Sequence, residues 1–200
     1  MKLYERLPDS VTVNGKRIRC DFDFRNVLRM LETLAREDLT EEARAYRAVR
    51  CVTKRVKADP HAMLDAIYPR LFAEKKTEDG QRVTDFEQDA DYIRAAFLQE
   101  YGINLFRDRL HWCEFASLLA CLPEGSRYVE ILGIRSRPMP AATKWNAEER
   151  KWLAKAKAQF ALTMTEEDKE KSLEASLRAV AFSLLSMAEK GGNNGVLESR

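Results

Sequence analysis

The stretch VTDFEQDADYIRAAFLQEYGI, residues 83–103, carries a carboxylate at every second position from residue 85 to residue 91 and then an aromatic-rich run closed by glycine. Such a density of carboxylates fits a metal site, an acidic catalytic centre or the start of a helix. The fold and the function of the chain both depend on which of these three interpretations is correct.

The spacing of the carboxylates argues against a metal site. Asp85, Glu87 and Asp89 match the first, third and fifth positions of an EF-hand calcium loop. However, Ala90 stands where that loop needs glycine, and Ala96 stands where it needs a bidentate glutamate. On a helix, side chains two residues apart point about 200° away from each other around the axis. We therefore expect these carboxylates to diverge, with no metal ligand and no catalytic acid among them.

A helix start explains the same residues. Thr84 and Glu87 have the spacing of a capping box, in which each side chain binds an unpaired backbone amide of the other. The acids then lie near the positive end of the helix dipole, and Gly102 suits the left-handed residue that ends a helix. The apolar stripe of this helix is Phe86, Ala90, Ile93, Phe97 and Tyr101. The residues that we assign to the structural motif are Thr84, Asp85, Phe86, Glu87, Tyr92, Phe97, Gly102 and, in the next segment, Trp112.

Length and composition favour a mainly α fold. The chain has 200 residues, 33% of them charged and 45% hydrophobic, which suits globular helices better than disorder. We predict a compact multi-helix domain with a small N-terminal β-hairpin and a C-terminal helix. The predicted boundaries are 1–162 for the helical domain with its hairpin, 163–190 for a C-terminal helical extension and 191–200 for a flexible tail.

Local signals place the hairpin and several helix ends. Residues 11–20 alternate apolar and polar side chains around Asn14-Gly15, the pair that best suits a two-residue hairpin turn. Thr40, Asp59-Pro60 and Ser126 are predicted to begin helices. Pro69 is predicted to kink or end its helix near Tyr68, and residues 73–82 are predicted to form an exposed loop.

The sequence offers no pattern typical of an enzyme. Its cysteines are scattered and it has just two histidines, so a structural zinc site is not expected. His111 and Cys113 lie two residues apart in one helical pattern, which points their side chains to different faces. Glycine-rich phosphate loops and nucleophile motifs are missing from the chain. We expect no catalytic residue, no metal and no cofactor.

Hydropathy predicts no membrane-spanning segment, and the net charge predicts no general attraction to nucleic acid. No apolar run approaches the roughly 20 residues that span a bilayer, and the first residues lack the apolar core of a signal peptide. We therefore expect a cytoplasmic protein with reduced thiols. Lys and Arg total 34 against 32 Asp and Glu, so the net charge of +2 gives no general attraction to nucleic acid.

One helix carries the strongest local charge. In residues 41–57, we predict that Arg47, Arg50, Lys54 and Lys57 share one helical face, opposite a face of alanines and valines. A solvated surface is the commoner explanation of such a face. The alternative is a docking face for an acidic partner or for phosphates.

The segments DFEQDADYIRAAFLQEYGINL, residues 85–105, and LHWCEFASLLACLPEGSRYVEILGIRS, residues 110–136, resemble the central block of the bacteriophage gene-product-fifteen family of long-tailed phages. LPDSVTVNGKRIRCDFDFRNVLRM, residues 7–30, is similar to the opening of that family. The resemblance covers about residues 3–162. The segment after Thr163 departs from the short ending that the family resemblance leads us to expect.

This resemblance implies a tail-module protein whose gene lies between those for the tail tube and the tape measure, where tail assembly chaperones are found. The expected function is that of a non-enzymatic chaperone in the host cytoplasm. Its expected partners are the tape-measure protein and the tail-tube protein, and self-association is left open. One alternative is a structural tail or connector subunit retained in the virion. The other, a nucleic-acid-binding phage regulator, depends on the basic helix alone and is disfavoured by the net charge.

A protein that holds another protein's amphipathic helix needs apolar anchors within a charged rim. We expect the charged rim to be formed by the basic face and by a second short basic segment, residues 135–137. The candidate partner-binding residues are Arg47, Arg50, Lys54, Lys57, Arg135 and Arg137.

Overall fold

The computed structural model describes residues 5–72 and 83–163, and there it shows a mainly α fold with a small N-terminal hairpin. This confirms the predicted fold class. The predicted loop at 73–82, most of the C-terminal extension at 163–190 and the tail at 191–200 lie outside the described residues. The elements, all within the compact unit Met1–Phe160, are β1 (Ser10–Val13), β2 (Lys16–Arg19), α1 (Phe24–Leu34), α2 (Glu41–Val52), α3 (Pro60–Leu71), α4 (Ala90–Tyr101), α5 (Trp112–Ala120), α6 (Arg127–Ser136) and α7 (Ala147–Gln159).

The hairpin forms where the sequence predicts it. β1 and β2 pair antiparallel, with Val11 opposite Ile18. Asn14 and Gly15 have φ angles of 50° and 73°, the positive values that a two-residue hairpin turn requires. Val11, Val13 and Ile18 are buried, so one face of the hairpin packs into the helical core.

The N-terminal helices begin at their predicted caps. The side chain of Thr40 accepts a hydrogen bond from the Ala43 amide, and that of Asp59 accepts one from the Ala62 amide with Pro60 at the first helical position. Ser126 caps α6 in the same way, through the amide of Val129. Each of these caps satisfies an amide that would otherwise have no partner within the helix.

One predicted helix end is wrong, and another helix runs three residues beyond its predicted end. α2 ends at Val52 and does not continue to Lys57, because Thr53 adopts an extended backbone and its hydroxyl donates to the Val49 carbonyl. α3 continues through Pro69 to Leu71. Pro69 lies in the last turn, where the helix loses just one backbone hydrogen bond, and the burial of Leu71 holds that turn against the core.

The helix of the acidic stretch begins later than predicted. α4 starts at Ala90, residues 86–89 form a turn, and the predicted capping box of Thr84 and Glu87 is absent. The Thr84 hydroxyl lies instead 2.7 Å from the Tyr128 hydroxyl. Asp85 accepts hydrogen bonds from the amides of Glu87 and Gln88, at 2.9 and 2.8 Å, and so closes the turn.

Gly102 ends α4 as predicted. Its φ angle is 67°, in the left-handed region, and its amide donates to the Leu98 carbonyl at 3.1 Å. The amide of Ile103 turns back to the Phe97 carbonyl at 3.2 Å. This pair of bonds satisfies carbonyls that the last turn leaves open.

A buried ion pair joins the acidic stretch to α6. Arg135 donates to both carboxylate oxygens of Asp89 at 2.8 Å, and Asp89 is fully buried. The guanidinium also donates to the carbonyls of Phe160 and Val83, at 2.6 and 3.0 Å. One side chain therefore ties together the turn before α4, α6 and the end of α7.

A short backbone bridge between Asp23 and His111 joins the start of α1 to the start of α5. The Phe24 amide donates to Leu110 at 3.0 Å, and the Trp112 amide donates to Phe22 at 2.8 Å. Around this bridge lies an aromatic core in which Phe115 stacks on Phe24 and Phe97. None of the described helices is long and apolar enough to cross a membrane.

We predict that Asp89→Ala lowers the free energy of unfolding by about 3–5 kcal/mol, because it leaves the buried Arg135 charge without its partner. Chemical denaturation of the purified protein measures this loss. Asp91→Ala is the matched control, since Asp91 pairs with Arg94 through a side chain that is 94% exposed. It is expected to cost less than about 1 kcal/mol. Equal losses for the two variants would contradict a dominant role for the buried pair.

We predict opposite signs for two glycine substitutions. Gly102→Ala lowers the free energy of unfolding by about 1–2 kcal/mol, because alanine is strained at a φ of +67°. Gly133→Ala raises it by up to about 1 kcal/mol, because Gly133 lies within α6 and alanine favours helix. An added Cβ meets no heavy atom within 4 Å at either position. Thermal and chemical denaturation give both values, and a shared sign would refute the assignment of Gly102 as the left-handed cap.

Candidate functional site

A concave surface rich in cations lies beside the end of α2, and we name it the basic cleft. Its volume is about 950 Å³. Asp21 is the single carboxylate among its described lining residues, whereas six of them are cations: Arg19, Arg50, Lys54, Arg55, Lys57 and Arg109. All six cations are exposed to solvent. The cleft therefore combines a defined shape with excess positive charge.

The fold builds this cleft from three separate segments. The Asp21 amide donates to the Val52 carbonyl at 2.8 Å, which holds the chain after β2 against the end of α2. Because α2 stops at Val52, the following residues leave the helix axis and line one side. The lining includes Ile18 and Val52, which are 4% and 1% exposed, and we call these two buried residues the apolar floor of the cleft.

The cations of the cleft differ in how far they are neutralised. Arg109 donates to Asp21 at 2.9 Å and to Asp23 at 3.2 Å, and the bonds to Asp21 and then Asp23 raise its pKa. Arg50 donates to the backbone carbonyl of Lys54. Lys54 itself has no carboxylate within ion-pair distance among residues 5–72 and 83–163.

Arg55 and Lys57 are likewise without an ion-pair partner in the described part of the chain. Their backbone amides, like that of Lys54, take part in no hydrogen bond between described residues. Among residues 5–72 and 83–163, the loop after α2 therefore has three cations without an ion-pair partner and three backbone amides without an acceptor. Groups of this kind favour the binding of an anion.

The candidate partner-binding residues do not form one surface. Arg50, Lys54 and Lys57 line the basic cleft, whereas Arg47 is exposed on α2 outside it. Arg137 is exposed at the end of α6 and lies 3.9 Å from Glu149 of α7. Arg135 is buried in the ion pair with Asp89, so its assignment to an exposed rim is corrected.

Three residues of the cleft were missed by the sequence interpretation. Arg55 belongs to the same basic run but was not placed on the helical face. Arg19 projects from β2, and Arg109 comes from the loop before α5. No local signal brings Arg109 to Asp21, because the two residues are 88 positions apart in the chain.

The side chains of the acidic stretch support the fold. Phe97 is fully buried, and Tyr92 packs against the core. Phe86 lies against Trp112, with ring centroids 6.2 Å apart, and remains 37% exposed. Trp112 is buried and its indole nitrogen donates to the Leu71 carbonyl at 3.1 Å.

His111, a possible base, and Cys20, a possible nucleophile, have structural partners. His111 precedes α5 as its cap and does not lie within the helix. Its Nδ1 accepts from the Cys113 amide at 3.1 Å and its Nε2 donates to the Pro8 carbonyl at 2.9 Å. Burial raises the pKa of the Cys20 thiol at the cleft to about 11, so this thiol stays protonated at neutral pH. In residues 5–72 and 83–163, no group of three or more His, Cys, Asp or Glu side chains is placed to hold a metal ion.

Comparison with known proteins identifies a family. Residues 3–162 match the family described as Bacteriophage Gp15 protein. The matched range contains every named helix and strand, the buried ion pair and the whole of the basic cleft. No curated protein and no solved structure matched the chain.

Proposed function

The chain belongs to the bacteriophage Gp15 protein family and is a phage protein, and from this premise we propose that it acts in tail assembly. In this proposal it is a non-enzymatic chaperone in the cytoplasm of the bacterial host. It binds the tape-measure protein before the tail-tube protein assembles around it. The observation that carries the proposal is the extent of the family match, which takes in the whole helical core and the cleft.

The basic cleft supports this proposal because it offers both kinds of contact that a helix-binding protein needs. Its apolar floor can hold an anchoring side chain, and its cations form a charged rim. Tyr46 adds an aromatic group that is 49% exposed. It lies four residues before Arg50 on α2, so both side chains share one helical face. Exposed aromatic residues of this kind are common anchors in protein interfaces.

A structural subunit retained in the virion is the second candidate. Two aromatic side chains that do not line the cleft are strongly exposed, Phe106 at 71% and Trp145 at 85%. Permanent interfaces are enriched in aromatic residues, so these side chains favour a lasting assembly. Under this alternative the protein stays in the tail after it is complete.

We predict that co-expression with the tape-measure protein of the same phage keeps that protein soluble and gives a complex that co-elutes on affinity purification and sizing. The physical reason is that a bound chaperone covers apolar helix surface that otherwise aggregates. An unrelated aggregation-prone helical protein serves as the control and is expected to remain insoluble. If the tape measure aggregates in both cultures and this protein elutes alone, the proposed function fails.

A further inference from the structure

We propose that the basic cleft binds a carboxylate-rich polypeptide segment, with an apolar side chain of that segment seated on the floor of the cleft. The inference deepens the proposed function and depends on it in one respect, namely that a tail protein supplies the segment. The chemistry of the ligand follows from the charges, the amides and the shape of the cleft alone.

The charge of the cleft selects an anion. Its described lining residues include six cations and one carboxylate, and that carboxylate already accepts from Arg109. Four of the cations are arginines, whose planar guanidinium groups bind carboxylates through two parallel hydrogen bonds. Lys54, Arg55 and Lys57 have no carboxylate within ion-pair distance among the described residues, so their charges are available to a ligand.

The loop after α2 adds donors that a carboxylate can use. The backbone amides of Lys54, Arg55 and Lys57 make no hydrogen bond to another described residue. Amides and cationic side chains therefore come from the same short segment. This arrangement favours binding of a ligand that has acceptor oxygens at several points along an extended chain.

The floor of the cleft distinguishes a polypeptide from a simple anion. Ile18 and Val52 are 4% and 1% exposed and lie among the lining residues. A volume of about 950 Å³ is at the upper end of the range for ligand pockets. It can admit an apolar side chain as well as carboxylates, and an alternating acidic and apolar segment supplies both.

Nucleic acid fits the cleft less well. No aromatic residue is present among its described lining residues, although proteins that bind single strands use aromatic rings to stack the bases. The net charge of the chain is just +2, whereas nucleic-acid-binding domains carry a broad basic surface. The cations here are confined to a bounded cleft with an apolar floor.

Fluorescence anisotropy of the full-length protein with a labelled synthetic peptide of alternating glutamate and leucine tests this proposal. We expect this peptide to bind. The same peptide with glutamine in place of glutamate is expected to bind at least about tenfold more weakly. The double variant Arg55→Glu, Lys57→Glu is expected to weaken binding of the glutamate peptide by about tenfold or more.

The matched control is Lys151→Glu, Lys155→Glu, which changes the net charge by the same amount at exposed positions of α7 outside the cleft. We expect it to leave peptide binding within about twofold of the wild type. The variant Arg55→Gln, Lys57→Gln gives a second measure of the cleft without charge reversal, and circular dichroism checks that each variant is folded.

Three results would overturn the proposal. Equal weakening by the two glutamate double variants would show a general charge effect, and equal binding of the glutamine peptide would show that carboxylates are not recognised. Tighter binding of a single-stranded oligonucleotide through the same two residues would assign the cleft to nucleic acid. Failure of the proposed function in the tape-measure experiment can be distinguished from failure of the cleft assignment. Peptide binding without tape-measure capture leaves the cleft assignment standing, and tape-measure capture by a folded cleft variant places that contact on another surface.

Discussion

The ion pair between Asp89 and Arg135 is the interaction on which the architecture of the central block depends. Both side chains are buried, and the guanidinium also binds two backbone carbonyls from other segments. An unpaired charge at this depth is strongly unfavourable, so the turn before α4 and the helix α6 are positioned together. This pair explains why the acidic stretch is structural. Its one fully buried carboxylate is committed to the fold, while Asp85 closes the turn and Asp91 faces solvent beside Arg94.

The features that the sequence predicted correctly are those with local causes. The hairpin turn at Asn14-Gly15, the helix cap at Thr40 and the helix end at Gly102 each depend on a few neighbouring residues. The predicted capping box failed because Thr84 bonds to Tyr128, 44 residues away. The predicted rim position of Arg135 failed for the same reason, since its partner lies 46 residues away. Long-range partners of this kind leave no periodic pattern in the sequence.

The candidate site was predictable in part. Helical projection grouped Arg50, Lys54 and Lys57, and the structure places all three at the cleft although α2 ends at Val52. Lys54 and Lys57 reach the cleft from the loop after α2 and not, as was expected, from a continued helix. Arg109 could not be found in this way, because it reaches the cleft through ion pairs with Asp21 and Asp23, which lie 88 and 86 positions away in the chain. The basic run in the sequence thus identified three residues of the cleft but not the residues that other segments contribute.

Membership of the Gp15 family makes this a phage protein, and we propose that it engages a tail protein through the basic cleft. We propose that the protein acts during tail assembly and then leaves. Quantitative mass spectrometry of purified phage particles, compared with the lysate of infected cells, tests this claim most directly. The account predicts abundant peptides of the protein in the lysate and none above background in the particles. Peptides in fixed proportion to the tail-tube protein within the particles would contradict it and assign the protein to the finished tail.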